Sequence, residues 1–270
     1  MEAENNSKAN LENKATKYWA GVGFRVRDGM KMHKLTGQLD KGSDSWRNVT
    51  EHCLVQVARS EVLGNLIGLQ PDLISDMRMG ASLHDFDKKQ QITATRQANQ
   101  AGVSPLVAVR NEEIIAEDIL RTAGFSDRVR RLSNASGGDV PVLVEVQKIL
   151  DQENISDDDW GYLIVHYVDD CSIGTDWVAR SSEGRNIIDY RTEQNKAKAD
   201  YNKITQEMSL ELSSYPRFGG MNNLDAMSFV SHQIEQKLAA RIKKTTGEDV
   251  DSLTIPELID QKIRESIETT

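Results

Sequence analysis

The stretch Ala81-Ser82-Leu83-His84-Asp85-Phe86-Asp87-Lys88 decides how the rest of the chain is read. It sets an imidazole beside a carboxylate, with a lysine three residues on. Neighbours on a helix diverge by about 100°, so His84 and Asp85 cannot face each other within one. At the end of a helix the backbone can turn both toward a single ion, and a divalent metal accepts mixed nitrogen and oxygen ligation. Two donors do not make a site. Further ligands must come from other segments, and those segments must be rigid enough to aim them.

Working outward, the chain on both sides reads as helix. Val49, Cys53 and Val57, with Leu54, Ala58 and Val62, recur at helical spacing and predict a long helix from Trp46 to Leu66. Gly68 is its stop. Pro71 suits the first turn of the next helix, which leads through Leu73, Ile74 and Met77 to Leu83 and His84. An earlier helix is expected from Ala15 to Met32, followed by a polar connector from Lys34 to Ser45. Beyond the quoted stretch, Gln90 to Gly102 is polar and without a clear period, and is read as a mobile loop. Ser104-Pro105, Ser126 and Asp139-Val140-Pro141 are start signals for three helices, the second carrying Arg128, Arg130 and Arg131. Ser156 followed by Asp157, Asp158 and Asp159 opens an intensely apolar helix. It runs through Leu163, Ile164, Val165, Tyr167 and Val168 to Asp169-Asp170. A polar helix from Asn186 to Ser213, a break at Gly219-Gly220, and amphipathic helices from Leu224 to Lys244 and Ile255 to Ile267 complete the chain.

Few stretches alternate with period two and there are only 5 prolines, so the expected class is all-α. A chain of 270 residues allows one large domain with an appendage. The expected organisation is a flexible tail over 1–14, a metal-binding helical domain over 15–183, and an accessory helical region over 184–270 packed on the core. With 33 basic and 42 acidic residues the net charge is -9, which argues against a broad nucleic-acid-binding surface. Mean hydropathy is -0.53, and no apolar run approaches the roughly 20 residues needed to span a bilayer, so no membrane role is expected. The polar N-terminal stretch reads as neither signal nor transit peptide. Cys53 and Cys171 therefore read as reduced, small, buried residues of a cytoplasmic protein.

The remaining ligands can now be named. His52 lies inside the long helix, and Asp169 and Asp170 end the apolar one. A carboxylate pair there is costly unless something compensates its charge, and a divalent cation would. His52, His84, Asp85 and Asp169, from three helices, would leave open positions for water and substrate, as a catalytic site requires. Asp170 is the alternative to Asp169. Two His and two Asp suit Mn, Fe, Co, Ni, Zn or, less well, Mg, so the donor set does not name the metal.

From about Trp46 to Trp177 this pattern resembles the HD-domain metal-dependent phosphohydrolase superfamily. Glu51-His52 stands in a first helix, Leu83 to Lys88 after a second, and Tyr167-Val168-Asp169 in a late one. Ile119-Leu120-Arg121-Thr122-Ala123-Gly124-Phe125 is similar to the family's middle helix and following turn. The resemblance implies an HD-like helical bundle holding one divalent metal ion on His52, His84, Asp85 and Asp169. Asp169 is preferred because the family's late acid follows a small apolar residue. Lys88 falls where many members carry a lysine that faces the phosphate. The implied activity is hydrolysis of a phosphate ester, most often of a nucleotide, by metal-activated water, with Lys88 and Asp85 as catalytic residues. Asp85, Asp87, Glu112 and Glu113 are the implied candidates for moving the proton.

The chain departs from the family at Asp87, where many members have Gly. It also has Ser133 and Asn134 where two-metal members have a further His. A single ion is therefore expected, or a second one held loosely by substrate. The alternative function is a non-catalytic or weakly catalytic HD-type regulatory or interaction module, whose helical tail from about Arg185 binds a partner. The sparse tail helices also leave room for a homodimer. Simpler readings apply elsewhere. Arg121, Arg128, Arg130 and Arg131 read as a solvated face before a phosphate site, and Ser136-Gly137-Gly138 as a plain turn before an anion nest. His166 reads as structural, and His33 and His232 show no partner in the sequence.

Overall fold

The computed structural model describes residues 24–40, 46–172 and 199–268. Among them every regular element is helical, as the sequence predicts. The helices are α1 (Phe24–Leu35), α2 (Arg47–Leu66), α3 (Pro71–Leu83), α4 (Lys88–Ala101), α5 (Pro105–Thr122), α6 (Asp127–Ser133), α7 (Val140–Leu150) and α8 (Asp157–Asp170). They continue as α9 (Ala199–Leu212), α10 (Asn223–Thr246) and α11 (Ile255–Glu268), with short 3₁₀ turns at Pro216–Phe218 and Ser252–Thr254. No helix among the described residues is long and apolar enough to cross a membrane.

The start signals act through their side chains. Ser104, Ser126 and Ser156 accept from the backbone N–H groups of Val107, Val129 and Asp159, and Asp139 accepts from Val140 N–H. Gly68 follows α2 at φ 73° and Gly124 follows α5 at φ 88°, the left-handed backbone that favours glycine at a helix stop. The helix expected from Ala15 is described from Phe24 and runs past Met32 to Leu35. The start of the helix expected at Asn186 and the stop expected at Gly174 lie outside the described residues.

One expectation is overturned. Gln90 to Gly102 is no loop, for α4 occupies it up to Ala101. Its Gln, Ala, Lys and Arg residues are good helix formers. Only Thr95 and Ala98 are buried, too few to print a period on the sequence. The helix packs against α5 and closes at Gly102, φ 72°.

The main core is shared by α2, α3 and α8. Val57, Leu63 and Ile67, Leu73 and Met77, and Leu163, Ile164 and Tyr167 belong to one buried cluster. That cluster continues through Leu212, Met227, Ile234, Leu238 and Ile259, so the C-terminal helices share it. A smaller cluster joins Met32, Met79, Leu83, Phe86, Ala116, Leu120 and Val129. Leu83 and Phe86 flank His84-Asp85. Burying each contributes about 2 kcal/mol, which pins the stretch at both ends.

α3 meets α6 closely at Gly80, where a Cβ would fall 2.5 Å from Leu132 Cβ and 3.0 Å from a backbone carbon. Gly80→Ala should therefore lower stability by about 1–3 kcal/mol in urea unfolding, despite alanine's better helix propensity. A neutral or stabilised variant would contradict the close α3–α6 approach.

Candidate metal centre

Three helices bring the predicted donors together. His52 sits on α2, His84 caps the C-terminus of α3, and Asp169 lies in the last turn of α8. Each offers one ligand atom, and the three atoms lie within 4.8 Å of one another, a group that could hold a metal ion. His52 Nε2 is 3.1 Å and His84 Nε2 3.7 Å from Asp169 Oδ1. The imidazoles meet edge to face at 5.4 Å between centroids.

The donors are set for ligation by their outer partners. His84 Nδ1 lies 2.8 Å from the Ala81 carbonyl oxygen. A carbonyl only accepts, so Nδ1 carries the proton and Nε2 turns its lone pair inward, the tautomer a cation needs. Asp169 Oδ2 accepts from Gly137 N–H at 3.0 Å, while Oδ1 faces the imidazoles and accepts from Gln56. The Ser136-Gly137-Gly138 turn thus spends an amide on a protein carboxylate. Gln56, one turn after His52, has its Nε2 at 2.6 Å from His52 Nε2 and 2.7 Å from Asp169 Oδ1. Its i+4 spacing from His52 puts it on the same face of α2, a signal present in the sequence.

Asp85 adjoins this group without sharing its full set of short separations. Its Oδ2 is 3.7 Å from His84 Nε2, and its Oδ1 is 3.1 Å from Lys88 Nζ. Burial pushes the Asp85 carboxyl up, but Lys88 and His84 outweigh it and hold the group below the usual carboxylate range. Asp87 is buried, and burial together with the Asp85 charge pushes its carboxyl up to about 6. Cys53 Sγ lies 4.0 Å from His84 Nε2, and burial, then the Asp85 charge, push its thiol well up, so it stays neutral.

Asp170 points to the other side of α8. Its Oδ2 accepts from Ser231 Oγ at 2.6 Å and lies 3.6 Å from His166 Nε2. His166 Nδ1 donates to the Ala135 carbonyl at 2.9 Å, a structural bond, so α8 sends Asp169 and not Asp170 to the imidazoles.

The four arginines pair with acids. Arg121 meets Asp118, Arg128 meets Asp72, Asp76 and Asp158, Arg130 meets Glu117 and Asp127, and Arg131 meets Glu145 and Asp159. His33 and His232 were read as partnerless, and both have partners. His232 Nε2 is 2.9 Å from Gln236 Nε2. His33 is fully buried, with Nε2 at 2.7 Å from the Ser82 carbonyl and Nδ1 at 3.1 Å from Thr50 Oγ1. Nothing near it in sequence announces those contacts.

No protein-family model, curated protein or solved structure matches the chain.

Burial lowers the His33 pKa from 6.5 to about 4, with His84 adding to the effect while the Ser82 bond and Asp85 oppose it. Between those values the unfolded chain binds more protons. The contribution of His33 is therefore complete above pH 6.5 and lost as pH falls toward 4, by up to about 3 kcal/mol. His33→Gln, which does not titrate, should flatten that part of the stability profile. Comparing the two proteins isolates the effect from Asp87, whose raised carboxyl acts in the opposite sense. Parallel profiles would refute the assignment.

Mn²⁺ or Zn²⁺ at one hundred times its dissociation constant should raise the unfolding free energy by about 2.7 kcal/mol. The increment should vanish in Asp169→Ala and persist in Asp170→Asn, whatever the latter's own stability. An increment that survives Asp169→Ala places the ion elsewhere.

Proposed function

We propose that the chain is a metal-dependent phosphohydrolase of HD type, cleaving a phosphate ester of the nucleotide class. The observation that carries this reading is the convergence of His52, His84 and Asp169 from three helices, with the Asp85–Lys88 pair at its edge. His52, His84 and Asp169, joined by Asp85, would hold one divalent cation. When bound, such a cation polarises a phosphoryl oxygen and lowers the pKa of a coordinated water.

The chain's own groups do the rest. Lys88 keeps a third of its side chain open to solvent, and Asp85 orients its ammonium. A phosphoryl group entering from solvent would meet that ammonium, which stabilises charge growing on its oxygens. Asp85 stays ionised between Lys88 and His84, which suits it to hold a cation and to orient Lys88. The Ala81 carbonyl and the Gly137 amide hold His84 and Asp169 in place beforehand, so little reorganisation is left for the reaction itself.

One observation favours the second reading, an HD-type interaction module. Val107, Ile114, Ile115 and Ile119 leave an apolar stretch of α5 exposed, which suits a partner. Phosphate release from nucleoside mono-, di- and triphosphates with Mn²⁺ separates the two. Turnover should fall to background in the His84→Ala, Asp85→Ala double variant, and by about 10²–10³-fold in Lys88→Met. If Mn²⁺ binds stoichiometrically and none of the esters is cleaved, the module reading stands instead.

A further inference from the structure

We propose that the end of α1 and the turn after it, His33 to Gln38, form a strap that sets the metal affinity of the centre; this rests on the cation-binding reading above. The His84–Asp87 segment lies between α3 and α4, where single turn bonds, Phe86 N–H to the Leu83 carbonyl and Lys88 N–H to the Asp85 carbonyl, replace the helical ladder. The strap supplies donors to that backbone. His33 Nε2–H bonds the Ser82 carbonyl at 2.7 Å, Gln38 Nε2–H bonds the Asp85 carbonyl at 2.6 Å, and Thr36 Oγ1, which also faces the Met32 and His33 carbonyls of its own helix, meets the Phe86 carbonyl most closely. Bonds to main-chain oxygens fix backbone direction, and hence where His84 and Asp85 are aimed.

The strap is itself anchored to the other ligand-bearing segments. Thr50 Oγ1 meets His33 Nδ1, and Trp46 N–H donates to the Gln38 carbonyl at 2.8 Å; both belong to the start of α2, which carries His52. On α4, Gln90 Nε2–H donates to the Thr36 carbonyl at 2.9 Å, and Lys89 Nζ donates to the Gly37 carbonyl at 3.3 Å. Lys88 is the residue before them. Gly37 makes the sharp turn possible at φ 77°. One short segment thus cross-links the backbones beneath His52, His84, Asp85 and Lys88.

The chemistry of Gln38 supports a positioning role over simple packing. The side chain is fully buried, and its Oε1 has no close donor, the His33 imidazole acting on it only weakly. Stranding an acceptor in the interior is costly. A leucine of similar size would fill the space without that cost, so packing does not account for the amide. Its N–H on the Asp85 carbonyl does.

The test uses the full chain as Gln38→Leu and Thr36→Val, each keeping shape and deleting the strap's donor. Titration calorimetry with Mn²⁺ and Zn²⁺ should give dissociation constants about 10–100-fold weaker than the parent's. The unfolding midpoint of metal-free Gln38→Leu should change little, because the lost bond to the Asp85 carbonyl, which keeps the Lys88 N–H, is offset by removal of the poorly satisfied Oε1. Hydrogen exchange at amides 84–88, measured without metal, should quicken in both variants. Should Gln38→Leu fail to fold, Thr36→Val alone decides. Affinities within twofold of the parent, or unchanged exchange, overturn the strap. A parent chain that binds neither ion overturns the metal centre itself and the strap's role with it.

Discussion

The Asp169 carboxylate is the constraint on which the rest of the centre depends. It sits in the last turn of the most thoroughly buried helix, beside a second acid and with no basic residue in that turn. The C-terminal end of a helix carries partial negative charge, so the field of α8 opposes ionisation there. Partial burial adds a desolvation cost. Two neutral donors, Gly137 N–H and the Gln56 amide, meet part of the demand. Oδ1, the oxygen that accepts from Gln56, also faces two imidazole nitrogens, and one of them is held with its lone pair inward. The donor set could hold a metal ion, on grounds independent of any resemblance.

Holding that acid in place requires the end of α8 to be fixed from several directions. Tyr167 donates to the buried Glu235 at 3.0 Å, and Asp170 accepts from Ser231, both on α10. Arg59, two turns beyond His52 on α2 and fully buried, donates to Ser172 Oγ at 2.5 Å and lies 3.6 Å from Asp260 on α11. Residues 167–172 are therefore gripped by α2 on one side and by the C-terminal helices on the other. The region expected to be accessory shares the buried cluster and supports the helix that presents a ligand.

The parts legible in the sequence were those written in side-chain periods and caps. α2, α3 and α8 could be read because each buries a broad stripe, and their start signals are local. His52, His84 and Asp169 were legible for the same reason, as polar residues on otherwise apolar helices. α4 was not, because two small buried residues leave no period and its remaining composition suits a loop equally well. His33 was missed because its partners are the Ser82 carbonyl and Thr50, distant in sequence and generic in type. Gln56 was missed because an amide is seldom weighed as part of a metal centre, despite its spacing.

The choice between Asp169 and Asp170 shows where such reading stops. Both acids occupy one turn of one helix, and about 100° of rotation separates them. What lies on each side is settled elsewhere in the chain: Ser231 receives Asp170 across a separation of 61 residues, and Gly137 receives Asp169 across 32. The second of these partners is a backbone amide, which has no sequence signature of its own. The Ala81 carbonyl behind His84 and the Asp85 carbonyl under Gln38 are of the same kind. Main-chain groups thus aim the side chains of this centre, and their placement depends on tertiary packing that no local pattern records.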